Sequence, residues 1–446
     1  MDKNFLLNII NKLQKKGCDQ SDVFFVKNLS LNSSIRLNKL EKNEHSENFE
    51  IGIRAIKGKK QSIISSNNID FKNIDLLVNR VCEMVSVVPD NQYCGLASEK
   101  EITDFNQKDF VELDLFDPKV PTLIELNNKA IELESNALKN NMIINSEGAE
   151  VAWSKSDFFL AASNGLYQEF SKSSSSYILA ILAGNESSME REYDFKSEVY
   201  FNDLGDLKKV GETTAEKAVA KLNSRKIKTC KTSVMFDSKI ASSLLRNLLT
   251  ASNASLIARG TSFLKDKLNS RLFDNKINII DDPLLVKKTK SKLMDCEGIK
   301  SSKKNLIKNG KLNFFFNSLE QSRQLNQQPT GHASRGPSSL PYPSSTNLYL
   351  EKGTTSKESM LKSMKKGFLV TELMGSSINM SNGDYSRGAS GFWVENGEIA
   401  YPVSEVTIAG NLLKIFECLI PANDLEFNFG INAPSCLIEN MTIAGI

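Results

Sequence analysis

The chain has 446 residues, enough to pack a core without disulfides or structural metals and to form about three domains at roughly 150 residues each. Its 24 glycines and 11 prolines are too few for a low-complexity chain, and a net charge of +3 is too small to indicate a particular partner. It has 2 histidines, His45 and His332, far apart in sequence, which excludes a self-contained HExxH zinc site.

Residues 1–90 have the pattern of an N-terminal α/β domain. A first helix is predicted because apolar side chains recur on one helical face between Phe5 and Leu13. Strand-like runs follow, and Lys57–Lys60 separates two of them as a hairpin turn would. A second helix with apolar residues at helical spacing ends before Pro89. The polar stretch 91–115 is interpreted as a linker.

Residues 116–228 are predicted to form a central α+β domain. It opens with a helix whose first turn contains Pro121 and closes with a helix over Leu204–Leu222. Several strand-like runs lie between these helices, and Asn164–Gly165 is a strong hairpin signal between two of them. The serine-rich run Ser171–Ser176 is interpreted as a loop or strand edge rather than a functional cluster.

Residues 229–446 are predicted to form a β-rich C-terminal domain. A strand over Ser233–Phe236 leads into an apolar helix over Ser238–Leu256. After Lys311, short strand-like runs alternate with turn signals such as Asn396–Gly397. The predicted fold class is therefore α+β in three units.

The basic residues are unevenly distributed. Lys221–Lys311 contains 21 basic and 7 acidic residues, so the rest of the chain carries an acidic excess. Most of these basic residues are lysines scattered among apolar segments without interleaved aromatics, which favours a solvated face and makes nucleic acid an unlikely partner. The 7 cysteines form no CxxC, and neither a signal peptide nor a membrane span is recognised, so a cytoplasmic protein is expected.

Most familiar catalytic motifs are absent: there is no phosphate-binding loop, no dinucleotide fingerprint and no nucleophile elbow. His45 lies in a polar run and is interpreted as a solvated surface residue. His332 lies beside glycine in a polar loop, where either a structural hydrogen bond or a functional role is open.

The segment Asn382–Gly397 is the most unusual in composition. Its small residues allow close backbone approach, and Asp384 and Arg387 could pair with each other or contact a ligand. Both a ligand- or partner-facing hairpin and a purely architectural turn remain open. The candidate residues are His332, Gly383, Asp384, Tyr385, Ser386, Arg387, Gly388, Trp393, Glu395 and Asn396.

This segment, continued to Leu412, resembles the signature of the TldD/PmbA family of modulators of DNA gyrase. Gly367–Gly375, Thr330–His332 and Met441–Gly445 fit the same family. The resemblance implies an N-terminal α/β domain, a central domain and a β-rich C-terminal domain. It also implies a two-subunit cytosolic metalloprotease in which TldD carries a HExxxH zinc site and TldE pairs with it around a chamber that admits unfolded peptides.

The chain departs from the catalytic subunit at the first helix of the third unit. Where TldD has HExxxH, this chain has Arg246, Asn247 and Ala251 at the degenerate positions. These residues supply neither the zinc ligands nor the base that a metallopeptidase needs. The resemblance therefore implies a metal-free subunit of the TldE/PmbA type without catalytic residues, with zinc in a TldD-like partner and unfolded peptides as substrates.

Alternatives remain open at this stage. The chain could instead be a macromolecule-binding modulator that contacts DNA gyrase or another acidic partner through its basic block, without a role in proteolysis. It could also be a hydrolase that uses His332 or a cysteine. The sequence does not decide whether this chain is itself an enzyme, whether it forms a heterodimer or a larger assembly, or whether it forms homodimers in isolation.

Overall fold

A computed structural model describes residues 3–103, 111–185 and 188–446 of the chain. Residues 104–110 of the predicted linker therefore lie outside the described residues. Six of the described strands form a first antiparallel sheet. They are β1 (Gln20–Arg36), β2 (Lys39–Lys57), β3 (Lys60–Ser66), β4 (Ile143–Ala162), β5 (Tyr167–Asn185) and β6 (Ser188–Glu198). Their order is β3-β2-β1-β4-β5-β6, so the segments predicted as N-terminal and central units share one sheet through the β1–β4 pairing.

Helices cover one face of each half of this sheet. They are α1 (Lys3–Lys15), α2 (Phe71–Val87), α3 (Leu123–Ala137) and α4 (Leu207–Ala220). Helix α1 buries Leu6, Ile9, Ile10 and Leu13, the apolar face predicted from the sequence. Helices α1 and α2 pack over the strands from the N-terminal segment, whereas α3 and α4 form a separate core with the central strands.

The two hairpins predicted in this sheet are confirmed. Strands β2 and β3 are joined through Gly58, and β4 and β5 through Gly165, both with positive φ. The loop alternative for Ser171–Ser176 is wrong, because these residues lie inside β5 and pair with β4 along their whole length. The strand-edge alternative fits Ser171–Ser174, since the pairing of β5 with β6 begins at Ser175. Ser173 is buried and donates to the Val199 carbonyl, so a tertiary hydrogen bond outweighs the weak strand preference of serine.

The C-terminal region, residues 229–446, contains a second sheet of six described strands. They are β7 (Cys230–Phe236), β14 (Lys366–Ile378), β15 (Asp384–Glu395), β16 (Glu398–Asn411), β17 (Leu419–Pro421) and β19 (Cys436–Ala444). Their order is β16-β15-β14-β7-β19-β17, and β7 and β14 are parallel.

Smaller elements complete this region. The short strands are β8 (Ile279–Asp281), β9 (Lys304–Lys308), β10 (Lys311–Leu312), β11 (Ala333–Ser334), β12 (Tyr342–Pro343), β13 (Leu348–Leu350) and β18 (Ile431–Asn432). The helices are α5 (Ser238–Ala251), α6 (Ala254–Ala258), α7 (Leu319–Gln324), α8 (Lys357–Met364) and α9 (Leu412–Glu417). The helix predicted over Ser238–Leu256 is thus divided, because Asn253 caps α6 through its side chain.

The mixed α+β fold predicted from the sequence is confirmed. The predicted unit boundaries stay predictions. No helix among the described residues is long and apolar enough to span a membrane.

Candidate functional site

Helix α5 holds the positions where the family resemblance predicts a degenerate zinc motif. Asp237 caps its first turn by accepting from the Lys239 amide at 3.1 Å. Arg246 is exposed, whereas Asn247 is 8% exposed and its Nδ2 has no hydrogen-bond partner among the described residues. Ala251 is fully buried in the main core. Arginine and alanine offer no ligand to zinc, so the helix does not fit a metal at this position.

His332 is a core residue rather than a loop residue exposed to solvent. It is 1% exposed, and its Nε2 lies 3.0 Å from Asp281 Oδ2. Its ring stacks on Phe314 and meets Phe316 edge-on. Asp281 also accepts from the amide and hydroxyl of Thr346. These contacts fix the imidazole within the core, which favours the structural interpretation of His332 over the catalytic one.

The unusual segment forms the hairpin β15–β16, and its turn is the one predicted. Asn396 and Gly397 both have positive φ, 53° and 82°, as a tight hairpin turn requires. Gly391 faces the neighbouring strand so closely that a Cβ would lie 2.0 Å from the Leu369 carbonyl oxygen. At this position the small residue is required by strand packing.

Of the two alternatives for Asp384 and Arg387, the pairing is wrong, whereas contact with a ligand stays a prediction. Asp384 is exposed and accepts from Asn382 and Asn411 side-chain amides, at 2.7 and 3.3 Å. Arg387 is half-buried, and its Nε has no hydrogen-bond partner among the described residues. Residues three apart on a strand point to opposite faces of the sheet, which is why the two side chains do not meet.

The two aromatic candidates of the hairpin belong to the core. Tyr385 is 2% exposed, and burial raises the pKa of its phenol. Trp393 is 4% exposed, and its indole donates to Glu395 Oε1 at 3.2 Å. Both side chains belong to the same large apolar cluster as the buried residues of helix α5.

The base of the hairpin borders an open depression of about 620 Å³. It brings together three of the predicted residues, Asp384, Tyr385 and Ser386, beside the stretch Ser377–Met380. Gly383 adjoins it with a φ of 83°. The remaining candidates lie elsewhere along the hairpin: Arg387, Gly388, Trp393, Glu395 and Asn396. His332 has no described contact with any of the predicted hairpin residues.

Sequence inspection missed the buried charges between the first sheet and the C-terminal region. Asp22 accepts from Arg54 at 2.6 Å and lies 2.6 Å from Arg335 Nη2. Burial opposes ionisation of Asp22, but the two guanidinium groups hold its pKa below the usual value. Nearby, burial and the charge of Asp295 raise the pKa of Glu297 to about 7. These residues lie far apart in sequence, and no motif links them.

The described residues 3–103, 111–185 and 188–446 contain no group of three or more histidine, cysteine, aspartate or glutamate side chains arranged to hold a metal ion. The 7 cysteines are unpaired, including Cys18 and Cys82, whose sulfurs are 3.4 Å apart.

The fold combines a six-stranded antiparallel sheet, covered by helices, with a β-rich C-terminal region. Family models for the PmbA/TldA metallopeptidase match domain 1 over residues 21–85, the central domain over 114–222 and the C-terminal domain over 229–445. The chain belongs to the PmbA/TldD family.

Curated relatives match over nearly the whole chain. The metalloprotease PmbA of Escherichia coli O157:H7 is 31% identical over 429 residues, 96% of this chain and 92% of that protein. The PmbA homologue of Haemophilus influenzae is 30% identical, over 97% of this chain and 94% of that protein.

Solved structures share the fold. One is a protein from Bacteroides thetaiotaomicron described as a modulator of DNA gyrase, with a TM-score of 0.91 and 24% identity, covering 100% of this chain and 99% of that one. TldE from Thermococcus kodakarensis has a TM-score of 0.86 and 20% identity, covering 99% of this chain and 100% of that one.

Proposed function

We propose that this chain is the metal-free TldE-type subunit of a cytoplasmic two-subunit zinc metallopeptidase that cleaves unfolded peptides. A TldD-like partner supplies the zinc and the general base, and this chain completes the chamber. The observation that carries the proposal is helix α5, where Arg246 is exposed and Ala251 is sealed in the core. A zinc-bound water needs three protein ligands and a base, and these side chains provide neither.

The hairpin β15–β16 is the part of this chain that we expect to face the peptide or the partner. Asp384 and Ser386 present polar groups to the open depression, while buried Tyr385 anchors the strand from its other face. An extended peptide could hydrogen-bond to such groups without demanding a particular sequence. The role of this chain would then be to position the substrate and shape the chamber.

The decisive experiment measures zinc content and peptidase activity for this chain alone, for its TldD-like partner alone and for their mixture. We expect no stoichiometric zinc and no cleavage of an unfolded peptide by the isolated chain, and cleavage by the mixture. The matched control is the mixture made with a partner whose HExxxH glutamate is replaced by glutamine. Stoichiometric zinc together with robust cleavage by the isolated chain would overturn the proposal.

A second measurement tests the hairpin. Asp384→Ala is expected to lower cleavage by the mixture several-fold while the zinc content of the partner is unchanged, because Asp384 has no core contact to lose. Glu398→Ala, an exposed change at the other end of the hairpin, is the control. Equal cleavage by mixtures containing Asp384→Ala and Glu398→Ala would mean that Asp384 does not contact the peptide.

The competing function, binding of DNA gyrase through the basic block, is opposed by the surroundings of its lysines. Lys221 and Lys239 are paired with Glu192, and Lys303 with Asp282. Salt-dependent binding of DNA or gyrase by the isolated chain, retained without a TldD-like partner, would favour that function instead.

A further inference from the structure

A cavity of about 160 Å³ lies where the first sheet meets the C-terminal region. Strands β1, β4 and β5 form one wall, and the segment Met294–Cys296 with Ala333–Arg335 forms the other. It is separate from both the hairpin depression and helix α5. A cavity of about 150 Å³ can hold a benzene ring, so this one has room for a ligand group of that size.

The floor of this cavity is aromatic. Phe158 stacks between Phe24 and Phe170, with ring centroids 6.2 and 4.9 Å away. Leu115, Leu160 and Met294 add further apolar surface. Such a lining favours an apolar ligand group, and ring stacking favours an aromatic one.

The polar side of the cavity is cationic. Lys172, Lys292 and Arg335 all line it. Lys172 donates to the Ser291 carbonyl at 2.7 Å and Lys292 to the Ala333 carbonyl at 3.2 Å. Within the part of the chain that the structure describes, neither ammonium lies within 4 Å of a carboxylate. Two lysine amines therefore face one small cavity with backbone carbonyl oxygens as their hydrogen-bond partners.

The guanidinium group of Arg335 is a second, independent indication of a ligand, because it is buried and has donors without partners in the described part of the chain. Its side chain is 1% exposed, and its Nη2 lies 2.6 Å from Asp22. Its Nε and Nη1 are buried without hydrogen-bond partners among the described residues. Buried guanidinium donors are normally satisfied, and an unpaired buried donor costs about 1–3 kcal/mol.

The one acidic side chain in the lining, Asp295, makes no ion pair within 4 Å among the described residues, and its hydrogen bonds go to the backbone. Asp295 accepts from the amides of Glu297, Ile299 and Ala333. Burial raises the pKa of Asp295, against the lowering effect of the nearby Lys292 charge and of these amides. The lining therefore places basic side chains that an anionic ligand could pair with beside an aromatic surface.

We propose that this cavity binds a monocarboxylate whose apolar body is about the size of a benzene ring, with the carboxylate among Lys172, Lys292 and Arg335 and the ring against Phe24 and Phe158. The same chemistry is offered by a small free acid and by the C-terminal carboxylate of a peptide that ends in an aromatic residue. The site needs no second subunit, so it does not depend on the function proposed above.

The test is calorimetric titration of the full-length chain with phenylacetate, its neutral analogue phenylacetamide, and acetate. We expect phenylacetate to bind about tenfold or more tighter than either, because phenylacetamide lacks the charge and acetate lacks the ring. Equal binding of phenylacetamide, or no binding of phenylacetate at millimolar concentration, would overturn the proposal.

Variants locate the site. Lys172→Met removes a cation that no carboxylate neutralises, so the fold is retained, and phenylacetate affinity is expected to fall about tenfold or more. Lys304→Met is the matched control: that lysine is half-buried and donates to the Thr330 carbonyl, but it does not line the cavity. Unchanged affinity in Lys172→Met would overturn the proposal, and a thermal unfolding scan of each variant verifies that it is folded.

The number of protons taken up on binding is a further measurement, and it distinguishes a lysine that contacts the ligand from one with only a structural role. Burial, with the nearby Lys292 and Lys290, lowers the pKa of Lys172 to about 7, so at pH 8 this amine is mostly neutral. A bound carboxylate favours the charged form and should cause uptake of a proton at pH 8, seen as a buffer-dependent heat. The charged or titratable groups at or next to the cavity that could contribute are Lys290, Lys292, Asp295, Cys296 and Arg335, together with Asp22 beside Arg335 and Glu297 beside Asp295. Uptake that persists in Lys172→Met would contradict the assignment to Lys172.

The two sources of the carboxylate are separated with a hexapeptide ending in phenylalanine, tested with a free and with an amidated C-terminus. Binding of the free form alone, lost in Lys172→Met, identifies a peptide terminus as the ligand. Binding of phenylacetate but of neither peptide identifies a small acid.

Discussion

Two clusters of charged side chains join the first sheet to the C-terminal region, and they differ in how their charge is balanced. In the first, Lys221 lies between Glu192 at 2.6 Å and Glu372 at 2.9 Å, and Lys239 also pairs with Glu192. In the second, around Lys172, the cations meet carbonyl oxygens and an open cavity. The lysines of the first cluster form ion pairs, whereas Lys172 and Lys292 of the second have backbone carbonyl partners and no carboxylate within 4 Å among the described residues.

The pKa shifts reflect this difference. Burial opposes the charged form of Lys221, but Glu192 and Glu372 nevertheless raise its pKa. Burial also opposes the charged form of Lys172 and, together with the charges of Lys292 and Lys290, lowers its pKa to about 7. A buried lysine that is paired with carboxylates is compatible with a structural role, whereas a buried lysine without an ion pair is more typical of a binding site.

The largest expected effect comes from breaking the balanced cluster. Lys221→Met leaves the carboxylates of Glu192 and Glu372 without their shared partner, and we expect a loss of about 3 kcal/mol in the free energy of unfolding. Urea denaturation at pH 7 measures it. Lys226→Met is the control, because the Lys226–Glu405 pair is exposed and is worth less than about 1 kcal/mol. Similar losses of unfolding free energy in Lys221→Met and Lys226→Met would contradict the idea that the buried ion pairs of Lys221 contribute more to stability than an exposed pair does.

A smaller and pH-dependent effect is expected for Lys172→Met. Between the folded pKa of about 7 and the unfolded value of 10.5, the unfolded chain binds more protons, so the stability of the unmodified protein rises with pH. Methionine removes this dependence. The stability of the variant relative to the unmodified protein should therefore fall by about 2 kcal/mol between pH 7 and pH 9.

Denaturation midpoints at the two pH values, with Lys226→Met measured in parallel, test this prediction. If the stability difference between Lys172→Met and the unmodified protein does not change with pH, Lys172 is charged in the folded protein at both pH values, as Lys221 is expected to be.

The smallest effect concerns Glu297, beside the unbalanced cluster. Burial and Asp295 raise its pKa to about 7 from an ordinary 4.5. Between these values the folded chain holds the extra proton, so stability is lost as the pH rises toward 7. Glu297→Gln keeps an acceptor for the Leu319 amide, and its free energy of unfolding relative to the unmodified protein should be about 1–2 kcal/mol higher at pH 6.5 than at pH 5.

Glu320→Gln, a neighbouring carboxylate on α7, is the control for Glu297→Gln, and thermal unfolding at the two pH values is a sufficient measurement. If the stability of Glu297→Gln relative to the unmodified protein is equal at both pH values, the pKa of Glu297 lies near its ordinary value.

The amino-acid sequence by itself determined the local elements and the family. Helical periodicity predicted the buried face of α1, and Asn396–Gly397 predicted the β15–β16 turn, since both signals depend on residues close along the chain. The motif segment also indicated the family before any fold was known. These features follow from backbone geometry and from side chains within a few positions of one another.

Only the tertiary structure decided the partners of distant residues. It placed His332 against Asp281 in the core, kept Asp384 and Arg387 apart on opposite strand faces, and paired Ser171–Ser176 within β5. It also gathered Lys172, Lys292 and Arg335 around one cavity. Long-range packing sets burial and electric field, and neither is encoded in local spacing.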